Sequence, residues 1–272
     1  MDEIQITQLF NYPLKSTKGQ LLNTVKVLTT GFKNDRIVAV INTNNKVVTG
    51  RECPKLLTIS SEINDGFLSL TLSEKLESSF ALPASKDTIE IRLFRNKITG
   101  KIFDVKANEF ISSYLNEDLR LVYIADNYRE VLEKRGGKSG DFTGYADSAP
   151  IHLINTNTLK HLNSKLDKKV SVLNFRPNIV IDGVKPYQED LWSEITINGC
   201  RFRVQERTER CIFTTIDPHT QEKDTHLQPL MTISEIRLLK GERHTFGINL
   251  IPISECEISI GDKITVNNTD GN

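Results

Sequence analysis

The chain has 272 residues, 38% of them apolar and 26% charged, the composition of a soluble globular protein long enough for one large domain or two ordinary ones. Lys plus Arg is 35 and Asp plus Glu is 35, so the formal net charge of zero argues against general nucleic-acid binding and leaves room only for a local basic pocket. No run of about 18 apolar residues is present, so no membrane span is expected, and the acidic start Met1-Asp2-Glu3-Ile4 has no apolar signal core. The cysteines, Cys53, Cys200, Cys211 and Cys256, form no Cys-x-x-Cys pair and are too sparse for a disulfide scaffold. They predict a reduced cytoplasmic chain in which any cysteine of interest acts singly, with Cys53, Cys200 and Cys256 as inert packing.

In chain order, Ile4 to Phe10 alternates apolar and polar residues, as a half-buried strand does, and Asn11-Tyr12-Pro13 breaks it. Leu22 to Leu28 and Arg36 to Asn42 read as strands joined through Thr30-Gly31. Leu56 to Ile59, Phe67 to Leu72, Ile89 to Leu93 and Lys97 to Val105 follow at similar spacing, a pattern that points to an antiparallel barrel or sandwich. Ala107 to Leu115 predicts a short helix and Leu119 to Ile124 a linking strand. Asn127 to Tyr145, with Arg135-Gly136-Gly137-Lys138-Ser139-Gly140 inside it, predicts a mobile loop. Beyond it the pattern is mixed. Strands are expected at Ile151 to Ile154, Asn178 to Ile181, Ile195 to Ile197 and Phe202 to Gln205, and helices at Thr156 to Leu166 and Thr232 to Leu239. The segment from Cys256 to Val266 reads as strand, Gly-Asp turn, strand.

Several chemistries fail on spacing. Gly137-Lys138-Ser139 lacks the earlier glycine of a phosphate loop, because position 132 is Leu132. The histidines form no His-x-x-x-His pair, and no Gly-x-Ser-x-Gly elbow occurs, so zinc and serine hydrolases are unsupported. The segment Arg210-Cys211-Ile212-Phe213-Thr214-Thr215-Ile216-Asp217-Pro218 is more informative. It sets a cysteine directly after an arginine, which favours the thiolate, the form that acts as nucleophile and soft-metal ligand. Asn174-Phe175-Arg176-Pro177-Asn178, Tyr12-Pro13-Leu14-Lys15-Ser16 and Asp35-Arg36 add cations and amides. Lys15, Arg36, Arg176 and Arg210 together suit a phosphate and a polar ring. Residue types alone leave a second reading open, in which the cysteine is a small hydrophobe and the arginines pair on the surface.

These segments, together with Thr49-Gly50-Arg51-Glu52-Cys53-Pro54, Asp147-Ser148-Ala149-Pro150, Tyr187-Gln188-Glu189-Asp190-Leu191-Trp192, Phe246-Gly247 and Ile260-Gly261-Asp262, resemble the MOSC family over nearly the whole chain. The resemblance is to its two-part form, the group of the mitochondrial amidoxime-reducing component and the bacterial YcbX-type proteins. It implies a mainly β, α+β fold: a MOSC N-terminal β-barrel domain over 1–118 and a MOSC β-barrel domain over 119–272, with a site in the cleft between them. It also implies a molybdenum cofactor, Mo-molybdopterin, with Cys211 as metal ligand and catalytic residue. Asp147 is implied as a catalytic group that manages protons. Lys15, Ser16, Arg36, Ser148, Ala149, Arg176, Asn178, Glu209, Arg210 and Asn249 match cofactor-binding positions. Asn178 would suit the donor–acceptor edge of the pterin.

The activity implied is reduction of N-hydroxylated compounds, hydroxylamines and amidoximes, by an enzyme without nucleic-acid or membrane partners. The chain carries no Cys-x4-Cys-x2-Cys ferredoxin motif, so a separate flavoprotein or iron–sulfur protein is expected to supply electrons. It lacks the N-terminal anchor of the mitochondrial members, which predicts a cytoplasmic form. Pyridoxal phosphate is not expected, since Lys15 matches a cofactor contact and not a Schiff-base motif. Three positions depart from the family pattern. Thr208 stands where a cysteine is frequent, Glu209 replaces a small residue and adds negative charge, and Ala149 replaces a common serine. The alternatives are a non-catalytic molybdopterin or sulfur carrier that uses Cys211, and a scaffold that has lost the cofactor.

Overall fold

The computed structural model describes residues 3–73, 76–238 and 243–267. The fold is mainly β, with α-helices at Val105–Leu115, Thr156–Asn163 and Leu230–Leu238. Leu239, the expected end of the last helix, lies outside the described residues. No described helix is long and apolar enough to cross a membrane.

The unbroken apolar run from Ile37 to Ile41 forms the strand Val38–Asn42, buried on both faces. Leu119–Tyr123 pairs antiparallel with it, and Asn96–Ile102 and Ile89–Leu93 continue the sheet outward. A meander of Ser60–Asn64, Phe67–Ser73 and Leu76–Ala81 packs on the same core. Its last strand is not evident in sequence, since it buries little beyond Phe80. The helix Val105–Leu115 is capped by Asp104, which accepts from Ala107 N at 2.8 Å, and buries Ala107, Ile111 and Leu115. Leu56 to Ile59 is not the expected strand. Pro54 fixes φ at the start of a 3-10 turn over Pro54–Thr58, and Leu56 and Leu57 are buried from that turn.

The second core is built on an eight-stranded sheet in the order Gln20–Leu22, Gln5–Asn11, Ile179–Asp182, Ile151–Asn155, Thr245–Pro252, Cys200–Glu209, Glu194–Ile197, Ile264–Val266. The first strand of the chain thus pairs antiparallel with Ile179–Asp182, and Ile6 faces Ile181. Ile6, Leu9, Val25, Val27 and Phe32 pack with Ile151, Ile195, Phe202 and Leu250 in one apolar cluster. Neither core closes as a continuous barrel among the described residues. In the second, Gln5–Asn11 meets the far end of the sheet through the bridge Gln5 to Lys263, through Ile6 N donating to Asp262 O at 3.0 Å, and through Gly261 N donating to Ile6 O and Ile264 N to Ile4 O, each at 2.9 Å.

The C-terminal segment is strand, turn, strand as expected: Cys256–Ser259 joins Thr24–Leu28, and Ile264–Val266 joins Glu194–Ile197. Cys200 and Cys256 are not the separate packing residues expected. They form a disulfide, Cα to Cα 6.0 Å, that ties the start of Cys200–Glu209 to Cys256–Ser259. Cys53 and Cys211 are free thiols.

Candidate active site

The strand Cys200–Glu209 shifts register twice against Thr245–Pro252, between Val204 and Glu206 and between Arg207 and Glu209. Such bulges bend a strand and re-aim its side chains. The chain then leaves the sheet at Arg210 and, despite the β-branched Ile212-Phe213-Thr214-Thr215-Ile216 run, enters a 3-10 turn over Ile212–Thr215. The threonines cause this, because Thr214 Oγ1 donates to Cys211 O at 2.9 Å and Thr215 Oγ1 to Ile212 O at 2.8 Å. Cys211 caps the turn with extended backbone, its side chain half-buried.

Cys211 faces a cleft enclosing about 840 Å³, part of it open to solvent. All twelve residues expected at the site line it: Lys15, Ser16, Arg36, Asp147, Ser148, Ala149, Arg176, Asn178, Glu209, Arg210, Cys211 and Asn249. Three of them, Ser16, Arg36 and Arg176, hold left-handed backbone at φ 69, 49 and 55. Side chains other than glycine enter that region at a cost of about 1 kcal/mol or more, and such strain collects where a group must be aimed.

Tyr12 organises the floor. Its ring is fully buried, with the Arg176 guanidinium 4.3 Å and the Arg36 guanidinium 4.4 Å from its centre. Its hydroxyl donates to Pro177 O at 3.0 Å, and burial pushes its pKa up to about 12. Gly19 is required beside it, since a Cβ there would lie 2.7 Å from the ring. Arg36 is held by Asp35, by Asn178 Oδ1 at 3.0 Å and by Arg176 O at 3.1 Å. Arg176 donates to Thr17 O at 2.6 Å, and Arg210 to Phe175 O at 2.7 Å. Burial lowers the pKa of both Arg176 and Arg210 to about 10.

Asn178 is occupied within the protein. Its Oδ1 accepts from Arg36 and from His152 N at 3.2 Å, and its Nδ2 donates to Phe10 O at 3.2 Å. It therefore aims Arg36 and does not present a free amide edge. Glu209 does not point its charge into the cleft unopposed. Arg135 Nη1 lies 2.7 Å and Arg243 Nη1 3.6 Å from its carboxylate, and the Arg135 hydrogen bond holds its pKa low. Arg135 belongs to the glycine-rich segment expected to be a free loop. That segment is a small hairpin, Arg129–Glu130 with Phe142–Thr143, pinned to the sheet by Arg203 on Asp141 and by Arg135 on Glu209.

At the mouth, Lys15 Nζ donates to Tyr145 O at 2.7 Å and to Asp147 Oδ1. The Asp147 side chain is 54% exposed. Partial burial raises its pKa, but Lys15, then Arg51 and Arg36, outweigh this and hold it at about 2. Burial lowers the pKa of Lys15, against the pull of Asp147. Arg51 and His152 complete the site and were not singled out by type. Arg51 Nη1 donates to Cys211 Sγ at 3.5 Å. His152 is buried, its Nε2 3.4 Å from Arg210 Nη1, and burial with that charge pushes its pKa well below the usual 6.5.

Three buried nitrogens of the cleft residues have no hydrogen-bond partner: Arg176 Nη2, Arg210 Nε and Asn249 Nδ2. Buried donors of this kind are costly to leave unpaired. They call for an anionic, acceptor-rich ligand. Among the described residues, no group of three or more His, Cys, Asp or Glu side chains is placed to hold a metal ion. A metal at Cys211 must then bring its other ligands with it. A half-exposed thiol, a cationic floor and unpaired amide and guanidinium donors fit molybdopterin, whose dithiolene and phosphate supply those ligands and that charge.

The architecture has known counterparts. The MOSC N-terminal beta barrel domain matches residues 3–118 and the MOSC domain residues 141–265. The chain belongs to the MOSC family, in the two-part form that joins these domains. Its relatives include mitochondrial amidoxime-reducing component 1 of Mus musculus, 30% identical over 276 residues that cover 95% of this chain and 81% of that protein. The Homo sapiens protein of the same name is 30% identical, with 95% and 82% covered. Mitochondrial amidoxime reducing component 2 of Bos taurus is 31% identical, with 86% and 72% covered.

Proposed function

We propose that the chain is an oxidoreductase that binds Mo-molybdopterin and reduces N-hydroxylated compounds, hydroxylamines and amidoximes, to amines and amidines. The observation that carries this reading is the meeting of Cys211 Sγ with a cationic floor holding three unpaired buried nitrogens. The names of the amidoxime-reducing relatives support it.

Arg36, Arg176, Arg210 and Lys15 would hold the phosphate and the pterin carbonyl, Asn249 Nδ2 would donate to the ring, and Cys211 would ligate the metal. When bound, the molybdenum centre supplies the two electrons for N–O cleavage. The protons are the task of the chain. Reduction of R–NHOH to R–NH2 and water consumes two electrons and two protons. Lys15 Nζ, itself buried, holds a proton against the ionised Asp147, whose side chain meets solvent at the mouth and connects the pair to it. Electrons would come from a separate flavoprotein or iron–sulfur protein.

The test is expression in a host competent for molybdopterin synthesis. Molybdenum and oxidised pterin are then measured per chain in the wild type and in Cys211→Ala. Near-stoichiometric amounts of both in the wild type, with metal lost from folded Cys211→Ala, are expected, together with turnover of a hydroxylamine. Folded wild-type protein without either, or with persulfide on Cys211 and no pterin, would overturn the reading and bring the carrier role forward.

A further inference from the structure

The strands Ile89–Leu93 and Asn96–Ile102 turn on two residues, Phe94 and Arg95, because Leu93 pairs with Asn96. Phe94 takes φ 55 at the first of them. A tight hairpin ordinarily gives that left-handed position to glycine, asparagine or aspartate, and a bulky residue there is strained. The core does not require the ring, which is 45% exposed. Yet it is not adrift in solvent. Arg51 Cζ lies 4.8 Å and Lys15 Nζ 5.6 Å from the centre of the ring. Both cations line the cleft, and Arg51 also touches Cys211 Sγ. Phe94 therefore overhangs the mouth, one side chain away from the candidate metal ligand and beside the Lys15–Asp147 pair.

An exposed, strained aromatic at a cleft mouth has no role in holding the fold, and strain that persists at such a place marks a ligand contact. The cations against the ring draw on its π density and fix its orientation. Its remaining surface is an apolar face set beside the charged Lys15, Arg51 and Asp147 of the cleft. That combination suits a flat, neutral, conjugated molecule better than a small aliphatic or a cationic one.

We propose that Phe94, backed by Arg51, is a specificity-determining residue that contacts the organic part of the substrate and favours aryl-bearing N-hydroxylated compounds over small aliphatic ones. The proposal rests on the reductase reading above. Its test uses the molybdenum-loaded protein with chemically supplied electrons, benzamidoxime and acetamidoxime as the paired substrates, and metal content measured in every variant. Phe94→Gly suits the turn, so it leaves the hairpin intact, and Phe94→Tyr restores an aromatic face. The ratio of kcat/KM for benzamidoxime to that for acetamidoxime is expected to fall about tenfold in Phe94→Gly, chiefly through the KM for benzamidoxime. Phe94→Tyr should recover most of it. Saturation-transfer NMR should show the benzamidoxime ring protons in contact with wild-type protein and lose that contact in Phe94→Gly. An unchanged ratio, with both substrates reduced by wild type, overturns the role of Phe94 alone. Loaded wild-type protein that turns over neither substrate overturns the reductase reading and this inference with it.

Discussion

Arg176 lies face-on to Tyr12, its guanidinium 4.3 Å from the ring centre, across 164 positions of sequence that contain most of the first core. Arg36 uses the same ring at 4.4 Å. One buried phenol thus orients two like charges that would otherwise repel. Tyr12→Phe keeps the ring and leaves Pro177 O without its donor, so a loss of about 1 kcal/mol is expected. Tyr12→Leu removes the shared face and opens space, with a loss of about 3 kcal/mol. Denaturant unfolding gives both values. Molybdenum content should stay near wild type in Tyr12→Phe and fall several-fold in the folded fraction of Tyr12→Leu. Equal metal content in the two variants would show that the ring does not aim the arginines.

His152 gives the site a pH signature. Its folded pKa is pushed well below 6.5 by burial and by Arg210. Below about pH 6.5 the unfolded chain takes up a proton at this residue that the folded chain does not. Stability is therefore full above that pH and falls as the medium is acidified toward the folded pKa, with a slope of up to about 1.4 kcal/mol per pH unit from this group. Urea midpoints between pH 7 and 5 should show the slope, and His152→Gln should flatten it. The same slope in His152→Gln would assign it to other groups.

Glu209 and Arg135 make a paired prediction. Arg135→Gln leaves the Glu209 carboxylate facing the cleft with only Arg243 and His244 near it, so affinity for an anionic ligand should drop several-fold. Glu209→Gln added to Arg135→Gln should restore it. Competition with inorganic phosphate for the apoprotein, followed by the rise in Tm, reads both steps. No recovery in the double variant would mean that Arg135 acts through the hairpin and not through charge.

The Cys200–Cys256 bond closes a loop with a sequence separation of 56, which restricts the unfolded chain by up to about 4 kcal/mol. Reduction, or Cys200→Ser with Cys256→Ser, should lower stability toward that limit without altering Cys211. Thiol titration of folded protein should count two free cysteines before reduction and four after it.

The site was legible in sequence where short motifs carry their own chemistry. Lys15-Ser16, Asp35-Arg36, Asp147-Ser148 and Arg210-Cys211 each announce a charge or a thiol, and all of them meet in one cleft. What failed to show was non-local. Tyr12 reads as the edge of a Pro turn, and only the fold reveals that it is the platform for two arginines. Asn178 looks like a donor–acceptor edge until Arg36, His152 and Phe10 are seen to use it up. Ile212 to Ile216 has the β-branched content of a strand, yet the hydroxyls of Thr214 and Thr215 bond back to the main chain and coil it. The disulfide is equally invisible in spacing, because its halves belong to strands that are not neighbours in the chain.

Beyond the short strand Gln20–Leu22 at one edge, Gln5–Asn11 finds its other partner only at Ile179–Asp182. During synthesis at roughly 5 to 20 residues per second, this strand waits on the order of 10 to 35 seconds for the residues that complete its pairing. Throughout that wait Ile6 and Leu9, fully buried in the finished molecule, lack most of the apolar cluster they enter, including Ile181, Phe202 and Leu250. The segment is thus secured long after it is made, and the interval is one in which a chaperone or a stray sheet edge competes for it.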